Sequence, residues 1–249
     1  MAGRLRRSLP LIALPLLLAG CWSADNVQPS GGAADFPDPG LLLAPNGRYY
    51  RYATQANGKH VPVHSSTSLT GPWTIHPDAF PNPPSWALNN FWGPEVQYIG
   101  GYYYLYYAAT IAWDGSPFGE HAIGVARSSS PTGPFTAVGP QPLYRDHVHR
   151  GAIDPDVVFV GSQQYIIWST DWGPLGRAGG ITRYIEGATM SGPAAAPLNG
   201  HGLLASGGAA WERGTVEGPA LVAGGDGNWH LFYSGGNYES SYGIGHAIC

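Results

Sequence analysis

Positive charge is scarce in this chain. Lys59 is its one lysine, charged residues make up 11% of the sequence, and the formal net charge is -4. Phosphate neutralisation needs several Lys or Arg on one face, and no such cluster exists, so nucleic acid is excluded as a partner. Cysteine is also scarce, with Cys21 near the start and Cys249 at the end. If Cys21 is consumed by modification, no internal disulfide remains, and packing alone is expected to hold the fold. A long amphipathic helix is missing as well. The small apolar stretch from Ser206 to Trp211 carries two glycines and lacks helical periodicity. No His and Cys residues gather at ligand spacing, which speaks against zinc, and no residue is assigned as a metal ligand.

The chain opens with Arg4, Arg6 and Arg7, followed by an apolar run from Leu9 to Leu18. This is the pattern of an export signal. Pro10 and Pro15 break the run, which is too short for a spanning helix. Leu18-Ala19-Gly20-Cys21 resembles a bacterial lipoprotein cleavage box. Residues 1–21 are therefore read as a lipoprotein-type signal peptide with Cys21 as the lipidated residue. The mature protein is expected outside the cell on a membrane, or secreted if Cys21 is not modified. Residues 22–34 are small and polar and read as a flexible tether. Residues 35–249 suffice for one sizeable domain.

That domain is rich in Gly (37), Pro (23), Tyr (15) and Trp (9), which marks many short elements with aromatic strands, an all-β chain. One pattern recurs about every sixty residues. An acidic residue beside a proline precedes a short apolar run. A Gly turn, an aromatic strand and a Ser-rich Gly-Pro turn follow. The leading acids are Asp38, Glu95, Asp154 and Glu217. The aromatic strands are Tyr49–Tyr52, Tyr102–Tyr107, Tyr165–Trp168 and Trp229–Ser234. The closing turns run to Gly71-Pro72, Gly133-Pro134 and Gly192-Pro193. Repeats of this length, each built of several short strands, indicate β-propeller blades whose innermost strands line a shared axial cavity. The leading acids are then neighbours in space. At this period the chain ends near the third strand of a fourth blade. It is expected to be C-terminally incomplete, without its closing strand and last blade.

The ordered set Phe36-Pro37-Asp38-Pro39, Trp92-Gly93-Pro94-Glu95, Ile153-Asp154-Pro155-Asp156 and Val216-Glu217-Gly218-Pro219 resembles glycoside hydrolase family 43. The Ser-to-Gly-Pro-aromatic turns at Ser66–Trp73 and Ser128–Phe135 share the likeness. So does Leu231–Ser234 followed by Tyr242–Ala247. The resemblance runs from Asp35 to the end. It implies a five-bladed β-propeller, of which about four blades are present. It also implies inverting hydrolysis of terminal or internal α-L-arabinofuranosyl or β-D-xylosyl linkages by a monomer that needs no cofactor. A calcium ion or water on the propeller axis is compatible with it, with ligands unassigned. By motif, Asp38 is implied as general base, Glu217 as general acid, and Asp154 as the residue that tunes and orients the acid. An inverting pair stands about 6.5–9.5 Å apart to admit water. A carboxylate beside the acid raises its proton affinity.

Plainer readings exist for each residue. An isolated Asp-Pro or Glu-Gly-Pro is more often a turn. Asp156 competes with Asp154, because strand alternation puts both on one face. Glu95 is expected to support the pocket. Phe91, Trp92 and Trp172 are candidate sugar platforms, with Trp92 preferred; Trp113 is a weaker candidate. His121 and His246 are expected in the core or channel wall. An inactive or purely carbohydrate-binding propeller is the alternative function.

Overall fold

The computed structural model describes residues 22–27, 36–112, 119–147, 149, 151–170, 183–197, 202–237 and 239–249, the first of these segments by its backbone. Four antiparallel four-stranded sheets make up the fold. The first contains β2 (Gly40–Leu43), β3 (Tyr49–Tyr52), β4 (Val63–Ser66) and β5 (Thr74–Ile75). The second contains β6 (Asn89–Ile99), β7 (Tyr102–Ala112), β8 (Glu120–Ser128) and β9 (Thr136–Ala137). The third contains β10 (Ala152–Val160), β11 (Gln163–Thr170), β12 (Tyr184–Met190) and β13 (Gly202–Ser206). The fourth contains β14 (Val216–Ala223), β15 (Trp229–Asn237) and β16 (Ser241–Ile248), and its outer strand is β1 (Trp22–Val27).

Local sequence explains these strands. Between β6 and β7 the pair Gly100-Gly101 adopts positive φ at both positions, the backbone of a two-residue hairpin whose twist suits the flanking strands. The Ser-rich turns repeat in detail. Ser66 Oγ accepts from Ser68 N, and Ser128 Oγ accepts from Ser130 N, both at 3.1 Å. The N–H groups of Gly71 and Gly133 donate to the carbonyls of Ser68 and Ser130. Gly71-Pro72 and Gly133-Pro134 are both cis.

Each sheet is a blade, and the core lies between blades. Tyr52, Val63, Phe80, Phe91, Leu105, Tyr107 and Phe135 fill the first interface. Tyr106, Ile123, Val157, Ile166 and Trp168 fill the second. Ile167, Ile185, Leu204, Val216, Leu221, Leu231 and Tyr233 fill the third. Buried tyrosine hydroxyls are satisfied across these interfaces. Tyr52 Oη donates to the Pro131 carbonyl at 2.6 Å, and Tyr106 Oη to the Pro193 carbonyl at 2.7 Å.

Three interfaces for four blades make an open ring. The inner strand β2 packs on β6, β6 on β10, and β10 on β14. The outward faces of the end blades carry exposed apolar side chains: Leu41, Leu43 and Ile75 on the first, Val222, Phe232 and Ile248 on the fourth. This arrangement is four blades of the five that the resemblance implied. One expectation changes. The fourth blade has its outer strand, because Trp22–Val27, inside the segment read as a tether, pairs antiparallel with β16 and covers an otherwise bare edge. Cys21 and the signal segment lie outside the described residues.

Candidate active site

The inner strands β2, β6, β10 and β14 converge on a central cavity of 590 Å³. Its walls include Asp38, Glu95, Gln97, Asp154, Asp156 and Ser234. A larger hollow of 710 Å³ lies beside Tyr102 and Arg127, away from all of these carboxylates. Acid–base chemistry therefore belongs to the central cavity.

A shared backbone device opens each inner strand. Asp38, Gly93, Asp154 and Gly218 have φ of 48°, 50°, 53° and 58°, and each precedes a proline. The structural repeat therefore aligns these four positions, not the four leading acids. Glu95 sits two residues after the repeated position and Glu217 one before it. Bulges between Trp92 and Glu95, Ile153 and Asp156, and Glu217 and Ala220 accompany the device. A bulge bends a strand and re-aims its side chains. Left-handed backbone is tolerated by Asp far better than by branched residues. At Gly93 glycine is required for a second reason: a Cβ there would lie 2.6 Å from Asp154 Oδ1 and 2.8 Å from Asp154 Cα.

Each carboxylate has distinct partners. Thr54 Oγ1 donates to Asp38 Oδ2 at 2.6 Å and accepts from Gly93 N at 3.1 Å. Asp154 Oδ2 accepts from Gly218 N at 2.9 Å, and Asp156 Oδ2 from Leu221 N at 2.8 Å. Gln97 Nε2 donates to Glu95 Oε1 at 2.7 Å. Glu217 is held at both oxygens. Tyr242 Oη donates to Oε1 at 2.7 Å, and Arg183 Nη1 forms an ion pair with Oε2.

The cavity strongly disfavours several negative charges. Burial, then Glu217, then Asp38 push Asp154 up to about 8. Burial pushes Asp156 up to about 6, against the hydrogen bonds of Leu221 and Val157. Glu95 is raised well above the usual range by burial and then by Asp156. Tyr242 is raised by burial and by Glu217. Repulsion from Glu217 and Asp38 thus adds to burial in raising the Asp154 carboxyl.

Asp38 and Asp154 line this cavity, and Glu217 stands beside it, one residue before the lining Gly218 and near enough for its charge to raise Asp154. Asp156 and Glu95 line the same cavity deeper along their strands. Phe91 is not available to a sugar. It is 2% exposed and packs among Phe80, Tyr107 and His60, because the bulged start of β6 turns it into the interface between the first two blades. Trp92 is partly exposed and stacks on His121 with ring centroids 4.2 Å apart. His121 is fully buried, and His246 stacks on His230 and Phe232. Trp113 and Trp172 lie outside the described residues. Sequence reasoning missed Thr54 and Arg183, which carry no motif. Tyr242 stood in a quoted motif without a role.

It also missed a side-chain cluster. Asp146, His149 and Glu186 offer donors within 4.8 Å of one another, enough to hold a structural cation. His149 Nδ1 lies 2.7 Å from Asp146 Oδ2 and 4.0 Å from Glu186 Oε1. The i,i+3 spacing of Asp146 and His149 was visible in sequence, but Glu186 arrives from β12. None of the three lines the central cavity.

Comparison with known proteins agrees with this architecture. "Probable arabinan endo-1,5-alpha-L-arabinosidase A" of Aspergillus flavus is 32% identical over 176 residues, which cover 68% of this chain and 51% of the relative. The chain thus spans about half the length of such curated relatives. The crystal structure of a thermostable family-43 glycoside hydrolase superposes with a TM-score of 0.74 at 27% identity, covering 89% of this chain and 70% of that one. The α-L-arabinanase of Cellvibrio cellulosa, solved with arabinohexaose, shares the fold with a TM-score of 0.61 at 18% identity, covering 87% and 71%. The profile described as "Glycosyl hydrolases family 43" matches residues 32–247, nearly the whole span of the four blades, and the chain belongs to that family.

Proposed function

We propose that this protein is an inverting glycosidase that hydrolyses α-L-arabinofuranosyl or β-D-xylosyl linkages, with arabinan-type glycans as the favoured substrate. The closeness of Asp38 and Glu217 to Asp154, whose carboxyl both of them raise beside the central cavity, carries this reading. Asp38, oriented by Thr54, accepts a proton from the attacking water. Glu217 protonates the leaving oxygen on the opposite face of the sugar. Asp154 binds the backbone beside Glu217. Inversion follows if the two carboxyl groups leave room for that water. The name of the Aspergillus flavus relative favours arabinan over xylan.

The test uses release of nitrophenol from nitrophenyl arabinofuranoside and xyloside, and of oligosaccharides from arabinan. Asp38→Asn is expected to lower kcat by about a thousandfold, within the range for general base loss. Glu217→Gln is expected to do the same on arabinan and less on the nitrophenyl glycoside, whose leaving group needs less protonation. Wild-type turnover in both variants would sink the assignment.

A binding propeller without catalysis is the second reading. The engagement of both Glu217 oxygens by Arg183 and Tyr242 favours it. Sugar binding without turnover by the wild type decides for it.

We also propose export, with Cys21 either lipidated or secreted in thiol or disulfide form. A thioether at Cys21 and a disulfide between Cys21 and Cys249 exclude each other, because each uses the same sulfur. Mass spectrometry of the mature N-terminus is expected to find lipid on Cys21. An unmodified or disulfide-bonded Cys21 overturns the anchored form.

A further inference from the structure

Both carboxylate oxygens of Glu217 are already engaged. Arg183 Nη1 is paired with Oε2, and Tyr242 Oη donates to Oε1. The ion pair is sheltered, the side chains of Arg183 and Glu217 being 20% and 15% exposed, whereas Tyr242 reaches Glu217 from the exposed side. A proton donor must come within hydrogen-bond reach of the leaving oxygen, so one of these partners has to give way.

The two partners are not equivalent. A tyrosine hydroxyl both donates and accepts, so Tyr242 serves either form of the carboxyl by rotating its O–H. A guanidinium only donates, and its bond is charge-assisted only while the carboxylate is ionised. Arg183 therefore favours the form of Glu217 that cannot donate. The backbone of Arg183 is fixed on both sides. Its N–H donates to the Gly214 carbonyl at 2.8 Å, and its carbonyl accepts from Gly207 N at 3.2 Å. Release of Glu217 is thus a side-chain rotation and not a movement of the blade.

We propose that Arg183 is a positioning residue that acts as a removable latch: it caps Glu217 in the empty cavity, and an entering sugar displaces it. The proposal rests on Glu217 as the proton donor. The groups that face Glu217 are Arg183 before β12, Tyr242 on β16 and Asp154 on β10. Only Arg183 among them is cationic.

The latch taxes substrate binding, because only the unlatched fraction is competent. Arg183→Met is expected to bind arabinotriose about tenfold more tightly in calorimetry, equivalent to about 1.4 kcal/mol. In turnover, KM is expected to fall by a similar factor with kcat within about twofold. Arg183→Lys, which keeps the charge and loses the fork, is expected between wild type and Arg183→Met. Weaker or unchanged binding in Arg183→Met overturns the latch, as does a loss of kcat at constant KM. Absence of binding in both wild type and variant overturns it too. If Arg183→Met gives no cooperative melt, the Arg183→Lys comparison carries the same outcomes. Calorimetry needs no turnover. Tightened binding in an inactive wild type would retain the latch and reject only the catalytic reading.

Discussion

Asp154→Asn isolates the electrostatic cost of the cavity. Asn keeps an oxygen for the Gly218 N–H and tolerates the φ of 53° at this position. It removes only the titration. Asp154 is raised from its ordinary 3.8 to about 8 by burial, Glu217 and Asp38. One unit corresponds to about 1.4 kcal/mol, so the full shift corresponds to roughly 5–6 kcal/mol. The native state keeps its proton where the unfolded chain has lost it. Stability from this group is therefore complete below pH 3.8 and is lost as pH rises to about 8. Asp154→Asn should lose none of it. Urea unfolding of both proteins at several pH values from 4 to 9 measures the difference. Asp156 and Glu95 titrate in both proteins and largely cancel. The variant is expected to gain several kcal/mol on the wild type across this range, up to the roughly 5–6 kcal/mol of the full shift, while activity falls. A stability difference that stays constant with pH would refute the reasoning.

Gly93→Ala places a methyl group against Asp154 and forces left-handed backbone on alanine. A cost of about 2–4 kcal/mol and near-complete loss of activity are expected, read by denaturation and arabinan assay. Unchanged activity would show that the Gly93–Asp154 approach does not position the site. Phe91→Ala should cost about 3–5 kcal/mol through a cavity between the first two blades. Trp92→Ala should instead raise KM with little change in melting. The reverse pattern would return Phe91 to the sugar surface.

Much of the fold was legible because its signals are local. Gly100-Gly101, the Ser-rich Gly-Pro turns and the aromatic runs encode hairpins without reference to the rest of the chain. Their repetition identified blades. The resemblance then pointed to Asp38, Asp154 and Glu217; the first two line the central cavity and Glu217 stands beside it. The leading-acid alignment was less faithful. The repeated structural position is the left-handed residue before proline, and in two blades it is glycine, with the acid displaced by one or two residues. The outer strand of the fourth blade escaped notice because Trp22–Val27 pairs with a strand at the other end of the chain. Phe91 was misjudged because a bulge reset the alternation that governs which face a side chain takes.

By itself the sequence determined the strands, their turns, the blade order and the family likeness, since hairpin chemistry and period-two patterning act over a few residues. The tertiary structure decided which atoms meet. Thr54 reaches Asp38 from the neighbouring strand of its own blade. Arg183 reaches Glu217 from the third blade, and Tyr242 reaches it across the fourth. The burial that raises Asp154 exists only after the inner strands converge. Those contacts depend on bulge positions and blade packing, which no local run of residues encodes.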